Sequence, residues 1–234
     1  ITKGPQSVTQ GTGLVAGGVR FVRQPPTPSE TTRAEVNAAA TAGSFGRFDL
    51  FGDATITGRM FFVRANATHN KSDNYKDGSG QEVNSHFKRN SQMLQAGLMP
   101  TRDTRLSVTY ERSRGEAAYA DRMMDGPKFD RDAWSVQGVH QNITPWFKEA
   151  ELRFGSGTID HVMDNFSMRP VNRMMGLRLN NPKRTVRTAH LKTTLEWGNL
   201  NVQAGLDWSR DRHRARMGAD YLAKPFMPTQ SFRQ

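Results

Sequence analysis

The sequence predicts an all-β protein whose strands form an antiparallel sheet of the transmembrane-barrel type, and three observations carry that prediction. Apolar and polar side chains alternate along segments of roughly nine to twelve residues, the period of two at which neighbouring side chains of a strand point to opposite faces. The segments are punctuated by 21 glycines and 11 prolines. The connections between them alternate short and long, as in membrane barrels with tight turns at one rim and long loops at the other. Alternation alone would also suit a soluble sandwich, because any strand lying between two unlike environments shows it. The rhythm of the connections is what favours a barrel.

In chain order, Ile1 to Arg23 is rich in glycine without clean alternation, and Gln24-Pro25-Pro26-Thr27-Pro28-Ser29 is a Pro-rich linker, which places a boundary near residue 30. Strands are expected at 31–41 and 46–57, joined by a short hairpin from Ala42 to Gly46, and at 59–72 after the turn at Thr57-Gly58. A longer loop over 73–82 leads to a strand at 83–97. The turn Met99-Pro100-Thr101-Arg102-Asp103 leads to one at 104–114, where Leu106, Val108 and Tyr110 oppose Arg105, Ser107 and Thr109. A second long loop, 115–128, precedes a strand at 129–141. Asn142-Ile143-Thr144-Pro145 then turns into 146–155, where Trp146, Ala150, Leu152 and Phe154 stand against Phe147, Glu149, Glu151 and Arg153. The longest loop, 156–183, leads to 184–195, and Glu196-Trp197-Gly198-Asn199 turns into 199–210. That last strand is the clearest, with Leu200, Val202, Ala204, Leu206 and Trp208 on one face and Asn201, Gln203, Gly205, Asp207 and Ser209 on the other. Each segment is near the nine to eleven or so residues that a tilted membrane strand needs.

The 234 residues carry 33 Lys and Arg against 22 Asp and Glu, a formal charge of +11, with a mean hydropathy of -0.70. No run approaches the roughly 18 apolar residues of a transmembrane helix, whereas a barrel wall needs none because half of its residues face away from lipid. The absence of cysteine excludes disulfides, thiolate zinc sites and a Cys nucleophile. His69, His86, His140, His190 and His213 are isolated, and no Ser/His/Asp set, nucleophile elbow or HExxH appears. No enzyme is therefore expected, and Glu149 and Glu151 read as wall residues facing the lumen. The positive charge suits a nucleic acid or an anionic membrane surface. The basic runs at Lys183-Arg184, Arg187 and Arg210 to Arg216 lack interleaved aromatics or a nucleic-acid fold signature, so no nucleic-acid partner is expected. They read as polar rim and lumen, and at an extracellular rim such cations meet lipid phosphates.

The segment KGPQSVTQGTGLVAGGVRF, Lys3 to Phe21, resembles the last part of the plug domain of TonB-dependent outer-membrane receptors through Gly4, Pro5, Ser7, Gly11, Gly13, Gly17 and Gly18. Gln10 stands where that family often has an aromatic residue. AAYADRMMDGPKFDRDAW (Ala117 to Trp134), DHVMDNFSMRP (Asp160 to Pro170) and MMGLRLNNPKRTV from Met174 are similar to segments of the TonB-dependent copper receptors. The resemblance touches most of the chain from Lys3 to about Asp211. It implies the Gram-negative outer membrane, a monomeric integral barrel of about 22 strands surrounded by outer-membrane lipid, and copper import driven through the partner TonB. Residues 1–30 would be the end of the plug, and 31–234 roughly the first nine strands. The chain is accordingly expected to be an internal fragment whose sheet does not close by itself and whose free edges invite aggregation.

His161-Val162-Met163 offers an imidazole and a thioether at i and i+2, which share one side of an extended backbone. Thioethers favour Cu(I), and imidazole accepts copper in either oxidation state. Asp160 and Asp164 flank the pair on the opposite side. The resemblance implies that His161 and Met163 are the barrel's copper ligands and that a Cys-x-x-x-Met pair in the plug, which would precede Ile1, completes the site. Met123, Met124, Met168, Met174 and Met175 share the two longest loops with this pair and are secondary candidates for transient copper contacts, although methionine also fills gaps wherever loops pack. Copper is the expected cargo, with no catalytic cofactor. Two rival expectations are a receptor for a siderophore or other metal chelate and, more distantly, a soluble basic β-protein that binds polyanions.

Overall fold

The computed structural model describes residues 26–233, together with Thr2–Lys3 and Gly17–Gly18. Those two dipeptides, β1 (Thr2–Lys3) and β2 (Gly17–Gly18), pair antiparallel, while Gly4, Pro5, Ser7, Gly11 and Gly13 of the plug-like motif lie outside the described residues. The chain then meanders through β3 (Arg33–Ala42), β4 (Phe48–Thr57), β5 (Phe61–Ser72), a small hairpin of β6 (Tyr75–Lys76) and β7 (Glu82–Val83), β8 (Phe87–Leu98), β9 (Thr104–Ala117), β10 (Asp125–Gln141), β11 (Phe147–Asp164), β12 (Leu179–Trp197), β13 (Leu200–Met217) and β14 (Met227–Arg233). Apart from the two small pairs, these strands form one ten-stranded sheet in which each pairs antiparallel with its neighbour in sequence. β3 and β14 are its edges and do not pair with each other.

The register aligns the apolar positions of successive strands into one band. Leu98 faces Leu106 and Leu106 faces Gly138; Gly138 faces Leu152, Leu152 faces Leu191 and Leu191 faces Leu206. Every large side chain of that row is exposed, Leu206 at 72% and Leu98 at 58%. The opposite face is polar and more crowded, with Ser107 and Glu151 buried and Glu151 accepting a hydrogen bond from Gln137 Nε2 at 2.7 Å. A soluble sandwich buries its apolar face and wets its polar one. This sheet does the reverse, which is the construction of a membrane-barrel wall. Aromatics mark both margins of the band. Trp146 stacks on Trp197 with centroids 5.7 Å apart at the end of the short turns, and Tyr110, Trp134, Phe154 and Trp208 lie toward the long loops. The tightest turn, between β12 and β13, needs a left-handed residue and uses Gly198 at φ +54°.

All nine expected strands are present; β8 begins at Phe87 rather than 83, with Val83 taken into the small hairpin, and the later strands run further toward the long loops than expected. β10 begins at Asp125 rather than 129, β11 continues through Asp164, β12 starts at Leu179 and β13 extends to Met217, so the expected loop over 156–183 contracts to 165–178. β14 and the β6–β7 hairpin were not expected at all. Period-two alternation reports that the two faces of a strand meet different surroundings, not that its backbone is hydrogen-bonded. Beyond the apolar band the contrast between faces fades, with Ser156, Thr158 and Asp160 against Gly157, Ile159 and His161, and the pattern stops while the ladder continues. Strands of 17 to 19 residues exceed what the bilayer requires, and β10 to β13 project past the band toward the long loops.

Candidate metal centre at the long-loop end

His161 and Met163 are therefore not in a long loop, as the sequence led one to expect, but at the end of β11, beyond the apolar band. The register between β11 and β12 runs unshifted from Glu149 opposite Thr194 to Met163 opposite Asn180. His161 and Met163 thus keep the polar face of Glu151 and Arg153, and Asp160 and Asp164 take the other, as the i, i+2 spacing requires.

One side chain packs on the imidazole, and two further residues support that arrangement. Phe129 of β10 lies directly opposite His161, with ring centroids 4.3 Å apart and planes at 34°. A Cβ on Gly126 would fall 2.0 Å from the Phe129 ring, so the absence of a side chain there lets Phe129 lie over the strand beside His161. The third residue comes from β12. Pairing with β11 lapses at His161 and Val162, where Pro182, which has no N–H, and Asn181 stand opposite. Asn181, fully buried, donates from Nδ2 to the His161 carbonyl at 2.8 Å and to Asp160 Oδ1 at 2.8 Å, replacing the missing ladder donor.

His161 Nε2 is buried with no hydrogen-bond partner among the described residues. Burial lowers the imidazole pKa, and the charge of Asp160 offsets this only in part. A lowered pKa favours the uncharged ring, which is the form that binds a metal. Met163, half-buried on the same face, adds a thioether. A further soft donor that the sequence reading passed over, Met217, lies in the same register row beyond Asn180 and is 64% exposed. Its signal was position in the register, which spacing along the chain does not show. No three His, Asp or Glu side chains converge among the described residues, so a hard-cation site is not built here.

The secondary candidates divide by loop. Met123 and Met124 lie in the connection 118–124, and Met168, Met174 and Met175 in 165–178. The two loops are tied together by Arg169, which donates to Tyr119 O at 2.9 Å, to Arg122 O at 2.6 Å and to the fully buried Asp125 carboxylate at 2.6 Å from Nε. Burial raises the Asp125 pKa, but the Arg169 hydrogen bonds, the Tyr119 N–H and the guanidinium charge outweigh it and hold the carboxyl below its ordinary range. Asn84 adds a contact at 3.2 Å. The latch brings the loops of Met123, Met124 and Met168 together over the ends of β10 and β11, whereas Met174 projects into solvent, 94% exposed.

No family model matches the chain, and no curated protein does either. Among solved structures, the chain is similar to one named copper transporter OprC, with 32% sequence identity and a TM-score of 0.90. The match covers 97% of this chain and 36% of that one, so the chain spans little more than a third of that transporter's length.

Proposed function

We propose that this chain is part of a TonB-dependent outer-membrane transporter that binds copper and imports it, with His161 and Met163 as the barrel's ligands and residues 1–30 as the end of the plug. The observation that carries the reading is the likeness to the copper transporter, at 32% identity and a TM-score of 0.90 over nearly the whole chain. The donor set supports it independently: an imidazole whose Nε2 is buried with no hydrogen-bond partner among the described residues, beside a thioether, on the polar face of a sheet whose other face is an exposed apolar band.

In this reading copper enters past the thioethers of the latched loops and is taken up by His161 and Met163. A soft, uncharged donor pair holds Cu(I) against the hard cations that carboxylates would admit. Phe129 excludes water from one side of the imidazole, and Asn181 keeps its backbone in place. The plug supplies the remaining ligands, and its displacement through TonB opens the way inward.

Elemental analysis of the full-length protein purified in detergent tests the assignment. Copper is expected to co-purify with the wild type and to be lost from the His161→Ala/Met163→Ala double variant. Equal copper in both, or none in either, would sink it. Uptake that requires a chelator in place of free copper would assign the cargo to metal chelates.

A further inference from the structure

The face of β12 and β13 that carries the apolar band changes character within one residue pair toward the long loops. On β13, Leu206 and Trp208 are followed on the same face by Arg210, Arg212 and Arg214; on β12, Leu191 and Ala189 are followed by Arg187, Thr185 and Lys183. The register pairs Arg187 with Arg210, Thr185 with Arg212 and Lys183 with Arg214, and it is uninterrupted from Asn180 opposite Met217 to Trp197 opposite Leu200. No bulge between these strands turns the cations onto the other face. Same-face neighbours lie about 6.6 Å apart along a strand and adjacent strands about 4.8 Å apart. The cations therefore crowd a patch about 13 Å long and two strands wide. They surround a concavity of about 220 Å³ that Phe226 closes at one side.

Among the described residues the arginines of this patch are not neutralised. Asp211, which lies between Arg210 and Arg212 in sequence, is on the opposite face, where it pairs with Arg184 and with His213 at 3.2 Å. Among the described residues none of the guanidinium groups of Arg187, Arg210, Arg212 and Arg214 forms an ion pair, and Arg210 Nε is buried without a hydrogen-bond partner. Lys183 alone faces a carboxylate, Asp160, which Lys128 at 3.0 Å and Asn181 at 2.8 Å already hold.

Like charges this close repel, and an anion between them relieves the repulsion. Guanidinium groups match phosphate oxygens through paired N–H donors. The patch begins one step beyond Trp208, at the margin of the apolar band, where lipid headgroups lie against a barrel. An anion placed there whose own apolar chains run down over Leu206 and Leu191 satisfies both halves of the face. A free phosphate or a nucleic acid satisfies only the charged half. We propose that this face of β12 and β13 is a binding site for the phosphate groups of an anionic outer-leaflet lipid, a role that rests on the sheet being a membrane wall but is independent of copper.

Native mass spectrometry of the full-length protein in detergent, titrated with bisphosphorylated, monophosphorylated and fully dephosphorylated lipid A, reads the site directly. Retention is expected to fall with each phosphate removed, and the R210Q/R212Q/R214Q variant to bind the bisphosphorylated lipid roughly a hundredfold more weakly, at about fivefold per charge. Arg184→Gln, on the opposite face, is expected to leave retention unchanged. Equal binding of the three lipids by the wild type overturns the proposal without recourse to any variant. So does displacement of the lipid by millimolar inorganic phosphate or by duplex DNA. Detergent dependence of the wild type is read separately. Lost lipid selectivity in a protein that needs detergent overturns this site alone, whereas a protein monodisperse without detergent overturns the membrane reading beneath it.

Discussion

Two neighbouring regions of the same sheet end treat charge in opposite ways. Across β9 to β11 three prominent charges are answered within the fold: Asp132 takes Arg114 at 2.6 Å, Asp160 takes Lys128 at 3.0 Å, and buried Asp125 takes Arg169. Across β12 and β13, on the band-bearing face, Arg187, Arg210, Arg212 and Arg214 form no ion pair among the described residues. The first arrangement is closed and holds two loops in place. The second is open and can accept an anion supplied from outside. The difference teaches that a basic run in sequence says little until the register shows which charges share a face, since Asp211 sits within the Arg210 to Arg216 run and neutralises none of the three arginines on the other side.

Breaking the closed region should have the largest effect. Arg169→Ala leaves Asp125 buried and unpaired, and removing one partner of a buried pair typically costs about 3–5 kcal/mol. Amide hydrogen exchange is expected to show 118–124 and 165–178 opening together, while Arg212→Ala in the open region leaves both loops as protected as before. Joint opening that failed to appear would mean that the loops are held by something other than the latch.

The same contrast has a pH signature. The folded-state pKa of Asp125 is lowered, so its contribution to stability is present above the unfolded carboxyl's pKa and is lost as pH falls through the lowered value. Limited proteolysis of the two loops in the wild type is expected to begin only below the ordinary carboxylate range. Cleavage that sets in at higher pH would contradict the latch. The metal site should behave alike for a different reason. Burial lowers the His161 pKa, so copper retention is expected to persist to a lower pH than an exposed imidazole would allow.

A smaller effect sharpens the comparison by converting one region into the other. Asp130→Asn/Asp132→Asn strips the carboxylates from Arg114, and a gain of a few-fold in retention of bisphosphorylated lipid is expected, from about 1 kcal/mol per uncompensated cation. Unchanged retention would show that position relative to Trp208, and not net charge, selects the lipid. The smallest expected effect belongs to Asn181→Ala. Loss of the Nδ2 donor to the His161 carbonyl should loosen copper by about twofold, because the hydrogen bond of about 1 kcal/mol is lost from the backbone behind the ligand and only part of it reaches the metal. Metal titration by competition with a Cu(I) chelator measures it.

Much of this was legible in the residues. Leu200 to Ser209 reads as a strand because each face meets one kind of surroundings along its whole length, and His161 and Met163 share a face at any register because two residues bring an extended chain back to the same side. The loop over 156–183 was misread because alternation vanishes where the contrast between faces fades, and because Pro182 looks like a strand breaker unless one sees Asn181 supply the donor it lacks. Asn181, Phe129, Gly126 and Met217 carry no signal of their own along the chain. Asn181, Phe129 and Met217 acquire their roles only opposite residues on another strand, and Gly126 acquires its own only through Phe129.

The sequence by itself determined the all-β class, the succession of nine strands, the apolar and polar faces and the pairing of an imidazole with a thioether, because all of these follow from period two within a single strand. The tertiary structure alone decided where the strands end, that the apolar face stays exposed, that His161 Nε2 is buried without a hydrogen-bond partner among the described residues, and which cations there lack an ion pair. Those properties depend on register, and register is set between strands by their hydrogen-bond ladders and by the burial that only the assembled sheet creates.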